Sequence, residues 1–284
     1  MQDRSVTPQT AKTVAPASVA AAEPILLCED IAGTVVLTLN RPEVRNTLSE
    51  AMLAALCDAF SSIARDDRVH AVVLAAKGPV FCAGHDLKEL NSRRSDPDRG
   101  RAYLKNVMTT CSAMMQQIVK LPQPVIAAVQ ATATAAGCQL VASCDLAVAS
   151  RTAKFATSGI DVGLFCSTPM VALSRNVSRK HAMEMLVTGE MITADHAQRI
   201  GLVNRVVEPG EELEEALRLA SIIGGKSSVA IKLGKAAFYR QLELPLSKAY
   251  ELASDVMVEN MLTYDAEEGI SAFIEKRKPN RKGR

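Results

Sequence analysis

At 284 residues the chain can bury one large core or two modest ones. It is 48% hydrophobic and 23% charged, and its net charge of +2 sets up no global field that would favour nucleic acid. No apolar run approaches the ~18 residues of a membrane-spanning helix.

Residues 1–23, "MQDRSVTPQTAKTVAPASVAAAE", are rich in Ala, Thr, Ser, Val and Pro and lack both an apolar stretch and helical punctuation. They are expected to form a flexible tail. The other reading is a transit segment, weakened by Asp3 and by having only Arg4 and Lys12 as bases. The β-branched "TVVLTLN" at 34–40 predicts a strand, and Pro42 breaks it. Thr47 and Glu50 have the spacing of a capping box, with Thr47 as N-cap. Behind them Leu48, Met52, Leu56 and Phe60 form the stripe of an amphipathic helix. "AVVLAA" at 71–76 is apolar throughout, as a strand covered on both faces would be.

A long helix is expected over 99–119, with Tyr103, Val107, Cys111, Met114, Met115 and Ile118 facing inward and Pro122 and Pro124 stopping it. "VIAAVQ" (125–130) and "DLAVAS" (145–150) are further buried strands. Between them a loop of small residues leads into a helix from about Ala136. Apolar strands alternating with helices imply an α/β fold with mainly parallel pairing. After about 208 the pattern becomes helical throughout. This divides the chain into an α/β core over 24–207 and a helical region over 208–284 with a basic end, "EKRKPNRKGR". That end is expected to be a solvated tail, the alternative being contact with an anionic ligand. No internal repeat is visible.

Seven cysteines, an odd number without a CxxC pair, sit mostly in apolar runs. They imply free thiols in a reducing compartment, cytoplasm or mitochondrial matrix. His70, His85, His181 and His196 show no ligand spacing, so no metal site is expected.

Two stretches carry the chemistry. "CAGHDLKEL" (82–90) and "ATAAGCQL" (133–140) each place a glycine turn after an apolar strand and before a helix. The first N–H groups of a helix lack partners and carry the positive end of its dipole. Two such groups converging on one oxygen make an oxyanion hole, able to stabilise an enolate formed from a thioester. Taken singly, either stretch is equally well explained by close helix–strand packing.

In this order the motifs resemble the enoyl-CoA hydratase/isomerase (crotonase) superfamily. The matching pieces are "LNRPEVRNTLS" (39–49), "GPVFCAGHDLKEL" (78–90), "LPQPVIAAVQATATAAGCQLVASCDLAVAS" (121–150), "KFATSGIDVGLFCSTP" (154–169), "EMLVTGEMITADHAQRIGLVNRVV" (184–207) and "EGISAFIEKRKP" (268–279). The resemblance implies a spiral of ββα turns with a C-terminal helical region used for trimer contacts, often doubled to a hexamer. It implies an acyl-CoA ligand, with coenzyme A thioester as substrate and no separate cofactor. The oxyanion donors would be the backbone N–H groups of His85 and Ala136. Asp86, Leu87 and Lys88 would line the CoA cleft, and Phe273, Lys276 and Lys278 would reach the CoA of an adjacent subunit from the C-terminal region.

The departures are equally specific. Hydratases of this superfamily set two glutamates on either side of a water; here those places hold Gln139 and Gly159. Some isomerases use an acidic position near Ser167, which is not acidic either. An amide cannot take and return a proton as a carboxylate does, and loss of one such group costs about 10²–10⁴ in rate. Candidates for rescue are Asp161, which an extended backbone would turn to the side of Gly159; Cys166, expected to be core; and the His85 imidazole. Asp145 is expected to be a turn or buried structural group. Ala136 stands where a glycine is usual, and a positive φ there would strain it. Restoring both glutamates would recover hydration only if Gly159 has no positive φ and the pocket has room.

Three functions stay open. The first is an acyl-CoA-binding member without efficient hydration. The second is an active hydratase, isomerase or thioesterase using another acid–base group. The third is a scaffold or nucleic-acid-binding member, against which near-neutral charge and 4% aromatic residues argue.

Overall fold

The structure, a computed structural model, describes residues 23–284; the expected tail or transit segment falls almost wholly on residues outside it. The hairpin β1 (Leu26–Ile31) and β2 (Thr34–Leu39) opens the fold, followed by α1 (Glu50–Ile63). Next come β3 (Ala71–Ala76), β4 (Val80–Cys82), α2 (Leu87–Ser92) and α3 (Arg101–Lys120). Then β5 (Val125–Val129), β6 (Thr132–Thr134) and α4 (Ala136–Ser143) repeat the order strand, strand, helix. A third turn has β7 (Leu146–Ser150), β8 (Lys154–Ala156), α5 (Pro169–Asn176) and α6 (Arg179–Thr188). It closes with β9 (Ile192–Thr193), α7 (Ala194–Arg199) and β10 (Arg205–Val207). The helices α8 (Glu212–Gly224), α9 (Ser228–Gln241), α10 (Leu246–Met261) and α11 (Tyr264–Ile274) complete the chain.

In each ββα turn the first strand joins one sheet and the second strand another. The larger sheet has the order β1-β2-β3-β5-β7-β10 and is parallel except for β1; the smaller has the order β4-β6-β8-β9 and is parallel except for β9. This is the spiral implied by the family resemblance, and it is a repeat of structure without a repeat of sequence.

The middle strands of the larger sheet are buried on both faces, which is why β3 and β5 are apolar at every position, whereas the edge strand β1 is largely exposed. Val72, Leu74, Val125 and Ala127 face the main core with α1 and α3. Val73, Ala75, Ile126 and Ala128 face the other way, against Ala216 and Ala220 of α8. The helical stretch after 208 is therefore of two kinds: α8 packs on the sheet, whereas α9 and α10 contribute no buried residue.

Helix α1 starts later than the capping-box spacing suggests. Its N-cap is Ser49, whose side chain accepts from the Met52 N–H at 3.2 Å. The reason is tertiary. Leu48 donates its N–H to the Gly84 carbonyl at 2.8 Å, and this holds the chain extended through Leu48. The Thr47 hydroxyl donates instead to Asp86 at 3.3 Å, and the Glu50 N–H to Glu89 at 3.1 Å. Helix α3 begins at Arg101 rather than 99, because Arg99 and Gly100 are both left-handed (φ +58° and +77°).

The basic end is exposed, as expected of a solvated tail, but it is tied back to α11. Asp265 accepts from the N–H groups of Lys282 and Gly283, its own N–H donates to the Arg284 carbonyl, and Arg277 grips Glu268 through both terminal nitrogens. The acidic side chains of α11 thus fold the end back on the helix, a pairing that a run of basic residues does not disclose by itself.

Candidate functional site

Strands β4, β6 and β8 lie side by side and parallel, with Cys82 opposite Ala133 and Thr134 opposite Ala156. Their carboxyl ends therefore open at one edge, the place where parallel sheets put their ligands. After β4 come Ala83, Gly84 and His85; after β6 come Ala135 and Ala136 at the start of α4; after β8 come Thr157, Ser158 and Gly159.

The first two turns touch. Gly84 has φ +90°, and a Cβ there would lie 3.0 Å from the Ala135 Cβ and 3.2 Å from the Ala136 nitrogen. Gly137 sits so close to the Cys82 carbonyl that any side chain would collide with that oxygen. Among the described residues, neither the His85 N–H nor the Ala136 N–H donates to a protein acceptor. Ala136 itself is the first helical residue. The strain expected there falls on Ala135, at φ 49° and ψ −119°, a conformation that suits glycine rather than alanine. Nothing in "ATATAAG" singles out Ala135, since its neighbours are equally small. The Ala135 N–H donates to the Ala156 carbonyl at 2.9 Å, pinning the strained turn to β8.

Three buried side-chain atoms at these turns have no hydrogen-bond partner among the described residues: both ring nitrogens of His85 and Oε1 of Gln139. Burial pushes the His85 imidazole below its ordinary pKa, with the Leu48 backbone acting the other way. Unpaired polar atoms at such depth are costly in a finished core. A ligand or water with polar groups would relieve them.

Gly159 lies in a 3-10 turn over Ser158–Val162, held by the buried Thr157 hydroxyl, which donates to the Met185 carbonyl at 2.7 Å. A backbone with three residues per turn does not bring Asp161 to the side of Gly159, as an extended one would. Asp161 is exposed and lies against Gly189 instead. Gly159 has no positive φ. Yet a Cβ there would stand 2.5 Å from the Leu164 carbonyl oxygen and 2.8 Å from the Cys166 sulfur. A glutamate is thus excluded by neighbours rather than by backbone conformation. Cys166 is buried, and desolvation raises its pKa. The same cause takes the thiols of Cys82 and Cys138 up to about 12. None of the three is a ready nucleophile.

Asp86 uses its carboxylate to cap α2, accepting from the N–H groups of Lys88 and Glu89. Leu87 and Lys88 are exposed beside the first turn. Within one chain Phe273, Lys276 and Lys278 lie apart from these turns, as residues that reach an adjacent subunit would. They lie at the end of α11, which packs on α9 and α10, and Phe273 is 86% exposed. Asp145 is a buried structural group. It accepts from the Val125 N–H at 2.7 Å, from Lys235 at 2.6 Å and from the Tyr239 hydroxyl at 2.8 Å. Among the described residues no cluster of His, Cys, Asp or Glu could hold a metal, and no helix is long and apolar enough to cross a membrane.

Paired strands feeding two sheets, with two amide-bearing turns meeting at one edge, define a crotonase-type fold. The profile of the enoyl-CoA hydratase/isomerase family matches residues 29–284, and the chain belongs to that family. Among its relatives is rat enoyl-CoA hydratase domain-containing protein 3, mitochondrial (Rattus norvegicus), 51% identical over 86% of this chain and 79% of the rat protein. The crystal structure of an enoyl-CoA hydratase from Mycobacterium smegmatis is 56% identical, with a TM-score of 0.87 over 91% of this chain and 99% of that one. The human enoyl-CoA hydratase domain-containing protein 3 structure is 48% identical, with a TM-score of 0.86 over 90% of this chain and all of its own.

Proposed function

We propose that the protein binds acyl-CoA thioesters, with the thioester oxygen between the N–H groups of His85 and Ala136, and that it does not hydrate enoyl-CoA efficiently. The observation that carries the reading is the contact of the Gly84 turn with Ala135 and Ala136, which leaves two unpaired N–H groups side by side. Such donors favour negative charge on oxygen as it develops. Hydration also needs a group to deprotonate water and a proton source for the adjacent carbon. Gln139 and Gly159 supply neither. The chemistry draws on the thioester alone, without a further cofactor.

Crotonyl-CoA hydration by the purified chain is expected to fall orders of magnitude below the ordinary kcat range of about 1–10³ s⁻¹. A rate inside that range would refute the second half of the reading. Gln139→Glu combined with Gly159→Glu should not rescue it, because of the Leu164 carbonyl and Cys166. Titration calorimetry should show acyl-CoA binding that survives His85→Ala and is lost in a folded His85→Pro, which lacks the N–H. A competing reading, an active lyase or isomerase with the His85 imidazole as acid–base group, is favoured by its unpaired ring nitrogens. It requires turnover on some enoyl-, dienoyl- or hydroxyacyl-CoA that disappears in His85→Ala.

The same reading extends to assembly and address. Leu246, Tyr250, Met257, Met261, Leu262 and Phe273 are exposed on α10 and α11, apolar area suited to a ring of three chains or a pair of rings. A monomer mass in light scattering at micromolar concentration would count against it. A mitochondrial address is supported by the likeness to the rat and human domain-containing protein 3, both mitochondrial, and the free cysteines suit the reducing matrix. Import of the full chain, with processing near residue 23, would test that address.

A further inference from the structure

The two donors of the candidate site are aimed in different ways. In a trans peptide the N–H and the carbonyl point in opposite directions, so whatever holds the carbonyl aims the N–H. The Ala136 N–H shares its peptide with the Ala135 carbonyl, which accepts from the Gln139 N–H at 3.1 Å in the first turn of α4. The helix itself thus aims that donor. The His85 N–H shares its peptide with the Gly84 carbonyl, which accepts from the Leu48 N–H at 2.8 Å. This donor is aimed by a distant stretch of chain.

Gly84 needs such a hold. Its φ of +90° is a glycine conformation, and a glycine leaves the peptide after it free to turn over. Turned over, the Gly84–His85 peptide would offer its carbonyl to the ligand oxygen and set its N–H against the Leu48 N–H. The Leu48 donor excludes that arrangement. Its bond to the carbonyl also polarises the N–H of the same peptide.

The stretch that carries Leu48 is itself anchored. Asn46 is wholly buried and left-handed, at φ +51°, a conformation asparagine tolerates better than most residues. Its side-chain amide donates to the Lys77 and Val80 carbonyls between β3 and β4, each at 2.9 Å, and its Oδ1 accepts from the Arg41 N–H at 2.8 Å. Two further ties flank the bond from Leu48. The Ala83 N–H donates to the Arg45 carbonyl at 3.1 Å, and the Thr47 hydroxyl donates to Asp86 at 3.3 Å. The donor peptide is thus bracketed at Ala83, Gly84 and Asp86, and His85 stands opposite Leu48 as an isolated parallel bridge.

We propose that Asn46 and Thr47 are positioning residues that, through the Leu48 N–H, fix the direction of the His85 N–H. The proposal rests on the acyl-CoA reading above. Asn46 acts by setting the place of Leu48, and Thr47 by holding the residue after His85.

Hexanoyl-CoA isotopically labelled at the thioester carbonyl reports that direction, because donors aimed at the oxygen lower its infrared stretching frequency on binding. The full wild-type chain should show a lowered stretch. Asn46→Gly deletes the amide and keeps a residue at ease in the left-handed backbone. In it the stretch should move back toward that of the free ligand, and affinity should fall by about tenfold. Thr47→Val should move the stretch the same way by less, and it carries the test if Asn46→Gly fails to fold. A merely structural role would lower the melting temperature and leave the stretch of the bound ligand at its wild-type value; that result in a folded variant overturns the proposal alone. An unshifted stretch, or no binding, in wild type is a different failure, which removes the oxyanion placement and the positioning role with it.

Discussion

The sheet-bearing core and the helices α9 to α11 are held by different forces. In the core, strands such as β3 and β5 are buried from both sides, and α1 and α3 each press five residues into the interior. The hydrophobic effect acts there through many contacts, none of them decisive. Helices α9 and α10 have no fully buried residue in the single chain, although the Lys235 side chain of α9 is enclosed. What ties α9 to the core is polar. Lys235 donates to Asp145 and to the carbonyls of Ile118 and Gln123, and Tyr239 donates to the other Asp145 oxygen. The contrast teaches that one chain can contain a part whose shape is its own and a part that depends on a few polar joints, Lys235–Asp145 with Arg175–Glu243 beside it, and on whatever covers its apolar face.

Cutting the Lys235–Asp145 joint tests the contrast most directly. Lys235→Ala should destabilise the protein by about 3–5 kcal/mol, because it leaves Asp145 buried without its cation. Replacing both partners, as Lys235→Met with Asp145→Leu, should cost markedly less. Chemical denaturation reads the magnitude. Proteolysis that attacks α9 to α11 before the core would confirm that the joint, not the core, has failed.

Within the core the tightest place is Gly137 against the Cys82 carbonyl. Gly137→Ala should destabilise by about 1–3 kcal/mol and spread the two turns apart. Acyl-CoA affinity should fall with it, whereas a change confined to the C-terminal helices would spare one chain's turns. Equal acyl-CoA affinity in a folded Gly137→Ala would show that the turn spacing is not what binds.

The core also carries a pH signature at one of its turns. His85 has a lowered folded-state pKa, because burial disfavours its charged form. Below pH 6.5 the unfolded chain takes up a proton that the folded chain resists, so stability falls as pH falls through that window. The slope from this one group is at most about 1.4 kcal/mol per pH unit. Denaturant melts between pH 7 and pH 5 should be flatter for His85→Gln than for wild type. The smallest effect is expected at the folded-back end. Glu268→Gln should speed tryptic cleavage at Lys276 and Arg277 without changing acyl-CoA binding.

Much of this was legible in the residues. β3 and β5 announce themselves because burial on both faces forbids polar positions. The α1 stripe shows because one face of a helix must be apolar. The smaller sheet was hidden: β4, β6 and β8 are three residues each, too short for any period to declare itself, and β6 lies inside what reads as a small-residue loop. Yet these strands align the turns of the candidate site. Its residue identities were therefore visible before its geometry was. Asp145 was recognisable as structural, but its partners Lys235 and Tyr239 stand 90 and 94 residues away, beyond any local signal. The start of α1 was misjudged for a related reason, since the Gly84 carbonyl that delays it belongs to another turn.

The packing around Gly159 bears on how this chain's chemistry can change by single substitutions. The space a glutamate side chain would enter is occupied by the Leu164 carbonyl and the Cys166 sulfur, both carried on the loop that follows. Cys166→Ala would remove one obstacle but not the other, which is main chain. A return to two-carboxylate hydration therefore has no downhill first step. Gly159→Glu alone disrupts the loop, and rebuilding the loop alone confers nothing until the glutamate arrives. Position 159 is thus closed to a side chain unless the loop carrying Leu164 and Cys166 is rebuilt with it.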